Sequence, residues 1–190
     1  MTRIKEAPPE KYVPLFGEDA DEFLRILANR PSLAEMLGQV HHTLHSDRIL
    51  PDRLLELVRL RVAFWNQCRS CMATRMPEGI ADGVTEELVC SLERPQEAND
   101  LTPAERAAIA YADLMATDHL AIDDQTFEGL REHFSEPEIT ELAINVAYFV
   151  GIGRFAATLH MVEGLPERFR ADQPITPWDG AATGRGAASS

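Results

Sequence analysis

The chain has 190 residues, 45% of them hydrophobic, and a formal net charge of −13 with a pI near 4.8. Such a length suits one domain with its own core, and such a composition excludes a disordered chain. The acidic balance argues against nucleic-acid backbones and anionic membranes as partners, because both call for a surplus of Lys and Arg.

The first nine residues, Met1 to Pro9, contain no apolar signal core, and no run reads as long enough to cross a bilayer. A cytoplasmic location is therefore expected, where thiols stay reduced. Three cysteines are too few for a disulfide scaffold. A close pair in that setting points to redox chemistry or a metal.

In chain order, residues 1–18 hold Pro8, Pro9, Pro14 and Gly17 and read as an extended arm. A helix is expected from Asp19 or Asp21 to Asn29, with Phe23, Leu24 and Leu27 inward. Ser32 and Glu35 form a capping box for a second helix, whose Leu33, Met36, Leu37, Val40 and Leu44 make an inward stripe. It ends in His41, His42 and His45. Pro51 opens a third helix, apolar nearly all round through Leu54, Leu57, Val58, Leu60, Val62, Phe64 and Trp65, hence buried on several sides. Asn66 and Gln67 suggest a bend, and a short helix carrying Cys68 and Cys71 follows.

Gly79 and Gly83 loosen the chain, and Thr85 caps a helix from Glu86 to Leu92. Thr102-Pro103-Ala104-Glu105 and Ser135-Glu136-Pro137-Glu138 each combine a cap, an early Pro and a capping-box Glu. They start the helices of Ile109–Met115 and Ile139–Val150, with another from Asp123 or Asp124 between them. Gly151 and Gly153 read as an interruption before a last helix over 154–163. From Gly164 onward Pro, Gly, Ala and Ser dominate, so residues 164–190 read as an irregular, largely disordered tail. Nothing alternates with period two. The expected fold is all-α, roughly eight helices over residues 19–163. A weak likeness between residues 54–65 and 139–149 allows a repeated helix pair.

The chemistry concentrates at Cys68 and Cys71. On one helix, Cys68, Cys71 and Arg75 share a face at i, i+3 and i+7. A first-turn position and a nearby arginine favour thiolate over thiol, and a second thiol resolves a sulfenic acid to a disulfide. Glu56 would lie about 18 Å from Cys68 in a straight helix, so it joins the thiols only if the chain folds back at Asn66-Gln67. A carboxylate in an apolar helix needs a partner; Arg59 and Arg75 are available. Two alternatives stay open. The cysteines could be small buried apolar groups, or half of a metal site completed by His41 and His45. His41, His45 and Trp65 are the substrate-binding candidates.

Glu56, Cys68-Arg69-Ser70-Cys71 and a polar residue at 75, after Leu50-Pro51 and before Gly83-Val84-Thr85-Glu86-Glu87, resemble the carboxymuconolactone decarboxylase and AhpD-like alkylhydroperoxidase family. The resemblance implies an all-α AhpD-like bundle, a homo-oligomer (dimer, trimer or hexamer) and an antioxidant thiol oxidoreductase that reduces organic peroxides or disulfides with no cofactor. It implies Cys71 as the thiol that attacks peroxide, Cys68 as the resolving thiol and Glu56 in a proton relay. The reductant would be a thioredoxin-like or lipoyl protein. Where the family carries histidines, this chain has Ser70 and Arg75, and Arg75 cannot shuttle protons. The alternative on the same scaffold is a decarboxylase-like lyase or isomerase, with Arg61 or Arg75 holding a substrate carboxylate, or a non-catalytic oligomeric binding protein.

Overall fold

The structure, a computed structural model, describes residues 2–170 and 173–178. Among them the regular elements are α1 (Pro9–Phe16), α2 (Glu22–Leu27), α3 (Pro31–Ser46), α4 (Asp52–Asn66), α5 (Arg69–Ala73), α6 (Pro77–Ala81), α7 (Glu86–Cys90), α8 (Pro103–Thr117), α9 (Asp124–Arg131) and α10 (Glu136–Leu159). Short 3-10 turns fall at Ser91–Glu93, His119–Ala121 and Glu167–Arg170, and no strand occurs among the described residues. The all-α expectation holds.

The centre is α4, packed between α8 and α10. Leu57, Val58, Leu60 and Val62 are fully buried there, and Leu54, Leu55 and Ala63 nearly so. Each such side chain contributes about 1.5–3 kcal/mol by leaving water, which explains why an element apolar nearly all round becomes the core. Two of the three capping boxes read in the sequence form. Glu105 N–H donates to Thr102 Oγ1 at 3.1 Å while Thr102 N–H donates to Glu105 Oε2 at 2.8 Å. Ser135 and Glu138 close the same box on α10, and Asp21 caps α2 through Leu24 N–H at 2.8 Å.

Several expectations are corrected. The arm of residues 1–18 is not extended throughout: Pro9 at the first position of α1 starts a helix, because its fixed φ suits that place and its missing N–H costs nothing there. Helix α3 starts at Pro31 with Arg30 as N-cap, and Ser32 makes no cap. Its stripe is only partly inward: Leu33, Met36 and Val40 are exposed, because α3 lies at the edge of the bundle with one face covered. Gly151 and Gly153 do not break α10, which runs unbroken for 24 residues. A Cβ at Gly153 would lie 2.5 Å from Asn66 Nδ2, so this glycine permits a close helix contact. By length and composition α10 could cross a membrane, contrary to the sequence reading. A third of its most apolar stretch is buried within the described protein, and Leu142, Val146, Ala156 and Leu159 are among the helix's buried residues.

The tail is corrected too. Phe169, Pro177 and Trp178 are buried, and residues 173–178 form a strap held across the end of α4. The part of the expected disordered tail at 171–172 and 179–190 lies outside the described residues.

Candidate functional site

The expected bend is at Gln67, whose φ of 49° and ψ of 35° are left-handed. A non-glycine residue rarely adopts that conformation, and its side chain shows what holds it. Gln67 Nε2 donates to the carbonyls of Phe64 (2.7 Å) and Ile175 (3.1 Å), and its Oε1 accepts from Ile175 N–H (3.0 Å). Asn66 Nδ2 donates to Phe149 O at 2.9 Å, tying the end of α4 to α10. The chain then turns back, and Cys68 becomes the N-cap of α5.

Cys68 and Cys71 form a disulfide with Sγ–Sγ 2.08 Å and Cα–Cα 5.2 Å. Cys68 is completely buried, Cys71 half-buried. Cys71 N–H donates to Cys68 Sγ at 3.4 Å. The two sulfurs therefore differ in access as well as in position.

Glu56 does return to the cysteines, through an intermediary. Arg59 Nε and Nη2 donate to its two carboxylate oxygens at 2.7 and 2.8 Å, and Met76 N–H donates to Oε1 at 3.1 Å. Arg59 also donates to Cys71 O and Thr74 O, each at 2.8 Å. The pair is almost dry, Glu56 being 3% exposed. It joins α4 to the backbone of α5 and the start of α6. The approach of α6 needs Gly79, where a Cβ would lie 2.7 Å from Glu56 Cβ.

These groups border a cavity of about 590 Å³, open to solvent on one side and lined by residues of α2, α3, α4, α5, α6 and α10. Cys71, Glu56, His41 and His45 all line it. The His41 and His45 rings lie 4.3 Å apart between centroids, tilted by 55°, and the Tyr148 ring stands 6.2 Å from that of His41. Burial lowers the pKa of both histidines below the ordinary histidine value, helped by the neighbouring charge of His42 on His41 and of His41 on His45. Exposed His41 and half-buried His45 thus line the same cavity as Cys71 as imidazoles that are neutral near neutral pH.

Other sequence candidates lie elsewhere. Arg75 does not continue the face of Cys68 and Cys71, because α5 ends at Ala73 and Thr74 is extended. Its guanidinium pairs with Glu86 at 2.7 and 3.1 Å and donates to Met72 O (2.7 Å) and Pro177 O (3.0 Å). Trp65 turns toward α8, where its Nε1 donates to Asp113 at 2.5 Å. Arg61 is buried on that same side, bonded to Asp113 and to Leu92 O. None of these three lines the cavity. The sequence reading missed Tyr148, hidden in an apolar helix, and Gly79, which read only as a loosening of the chain. The spacing of Glu56 and Arg59, one helical turn apart, did signal their pairing. No group of three or more His, Cys, Asp or Glu side chains able to hold a metal occurs among the described residues, so the proposed half-site lacks its further ligands.

Residues 31–114, from α3 to α8, match the model of the carboxymuconolactone decarboxylase family. Two uncharacterised Mycobacterium tuberculosis proteins are 34% identical over 101 residues, which is 52% of this chain but only 35% of theirs. An uncharacterised Bacillus subtilis protein is 24% identical over 90 residues, 47% of this chain and 61% of its own. The chain thus spans about a third of the length of its mycobacterial relatives.

Two solved structures share the fold. A Ralstonia eutropha peroxidase-related protein, described as an alkylhydroperoxidase AhpD core, superposes with a TM-score of 0.68 at 20% identity, covering 93% of this chain and 96% of that one. An Agrobacterium tumefaciens protein of unknown function, for which the name antioxidant defence protein AhpD has been suggested, gives 0.64 at 23% identity over 71% of this chain and 92% of that one. Residues 31–114, which hold Glu56, Arg59 and both bonded cysteines, belong to the carboxymuconolactone decarboxylase family, and the chain carries them in an AhpD-like helical fold.

Proposed function

We propose that the chain is a thiol-dependent oxidoreductase of alkylhydroperoxidase type that reduces organic peroxides through Cys71 and Cys68. The observation that carries this reading is the asymmetry of the pair: Cys71 lines a cavity of about 590 Å³, while its partner Cys68 is fully buried behind it. An attacking thiol that faces a cavity, next to a protected resolving thiol, is the arrangement a two-step peroxide reduction needs.

In the reduced protein, Cys71 thiolate attacks the terminal oxygen of ROOH. The O–O bond breaks, Cys71 becomes a sulfenic acid and RO⁻ leaves. The thiol proton, taken up by His41 or His45, goes to that alkoxide to give ROH. Cys68 then attacks the Cys71 sulfur, forming the disulfide and releasing water. A dithiol partner of the thioredoxin or lipoyl type returns two electrons and two protons. His41 and His45 stand in for the family histidines that Ser70 and Arg75 replace, since their lowered pKa values keep them able to accept a proton. Glu56 acts by holding Arg59, hence the α5 backbone, rather than by carrying protons.

The alternative of a lyase holding a carboxylate through Arg61 or Arg75 loses support, because both are engaged away from the cavity. A filled pocket beside Cys71, which would favour a non-catalytic protein, is absent at this site. The test is peroxide consumption with a dithiol reductant. Cys71→Ser should abolish it, while Cys68→Ser should allow a single turnover that leaves a trappable sulfenic acid on Cys71. Full turnover by Cys71→Ser would defeat the proposal.

A further inference from the structure

The cavity beside Cys71 has a chemical character that selects its ligand by charge. Its size, about 590 Å³, falls within the range that takes a small organic molecule. Phe23, Leu24, Leu27, Leu37, Leu44 and Phe149 supply much of an apolar wall. The charged groups are unevenly divided: five carboxylates (Asp21, Glu22, Asp52, Glu56, Glu78) line it against two guanidinium groups (Arg48, Arg59). Both cations are spoken for, Arg59 by Glu56 and Arg48 by Asp52. Arg61 and Arg75, the other candidates for holding an anion, lie outside it.

We infer that this cavity binds a neutral, apolar organic molecule and rejects carboxylates. An anion entering it meets no unpaired cation among the described lining residues and an excess of negative charge, so its hydration is lost without replacement. A cation gains little either. Asp21 is occupied in capping α2, Asp52 and Glu56 are already paired, Glu78 is exposed where solvent screens it, and half-buried Glu22 has its pKa raised by burial, which disfavours its charge. His41 and His45, facing the ligand from α3, and Tyr148, facing it from α10, complete the titratable lining and are uncharged near neutral pH. Under the redox reading the ligand is the organic part of the hydroperoxide; the binding preference itself does not require that reading.

Three probes of similar shape separate the possibilities: 2-phenylpropan-2-ol, 2-methyl-2-phenylpropanoate and 2-phenylpropan-2-amine. Binding of each to the full oxidised chain is measured by ligand-observed NMR titration. Protection of Cys71 from iodoacetamide is then followed in the reduced chain, to locate the bound probe. The alcohol should bind and slow alkylation of Cys71, with the carboxylate and the amine each weaker by about tenfold or more. A carboxylate that binds as well as the alcohol overturns the inference, as does a tighter amine or an alcohol that binds without protecting Cys71. The expected order of binding without any peroxide consumption would leave this inference standing and remove the redox reading. Peroxide consumption with no discrimination by charge would do the reverse.

Discussion

Glu56 is a carboxylate in the middle of the most buried helix, and its surroundings explain why it is tolerated there. Arg59 meets both of its oxygens and a backbone N–H completes the set, as a buried charge requires. Removing one partner of such a pair strands the other. Glu56→Ala should therefore lower stability by about 3 kcal/mol, read as a shift of the urea midpoint. Glu56→Gln, which keeps an acceptor, should cost less, and an unshifted midpoint in Glu56→Ala would contradict the role given to the pair. This much was legible in the sequence: an acidic residue in an apolar run needed a partner, and Arg59 stood one turn away. That Arg75 would be drawn off by Glu86 and Pro177 was not legible. It depends on Thr74 ending α5 and on a strap about a hundred residues further along.

The elements were read best where local chemistry decides them. Capping boxes at Thr102 and Ser135 and the cap at Asp21 are made by residues three apart, and all three form. Local signals also fail, at the Ser32 box and at Pro9, but the larger misreadings involve contacts distant in sequence. Gly153 reads as a breaker until Asn66 is seen against it, and Leu33, Met36 and Val40 read as core until α3 is seen at an edge. The strap of residues 173–178 is the largest such case. Its own composition suggests disorder, yet Gln67, Arg69, Arg75 and Cys90 all bond its backbone. Trp178 packs 4.9 Å from Phe64, and the Arg61 guanidinium lies 5.9 Å from its ring. Because the strap fixes the elbow that presents the disulfide, Trp178→Ala should destabilise the protein by about 3 kcal/mol and speed alkylation of Cys71 in the reduced form. Wild-type values for both the urea midpoint and the alkylation rate would contradict that function.

For the whole molecule, acidity and the partly desolvated pair His41 and His45 shape stability. His41 and His45 have lowered pKa values in the folded state, so the unfolded chain binds more protons as the pH falls through the ordinary histidine range near 6.5. Their neutral forms stabilise the fold above that range, and the contribution is lost below it. The thermal midpoint should fall between pH 8 and 5.5, and fall less in a His41→Asn, His45→Asn variant. The relief of self-repulsion as carboxylates are protonated is common to both proteins and cancels in the comparison. Asp123 and Glu138, whose pKa values are lowered by hydrogen bonds at their helix caps, act in a separate window, nearer the ordinary carboxylate range. Equal pH slopes in wild type and variant would contradict the histidine assignment.

The redox reading is tested most directly by counting thiols. The fully reduced chain carries three, at Cys68, Cys71 and Cys90. One equivalent of an organic hydroperoxide, added at fixed neutral pH, should remove two thiols rapidly and leave Cys90, with peptide mapping locating the new bond between Cys68 and Cys71. Retention of all three thiols, or loss confined to Cys90, would contradict it.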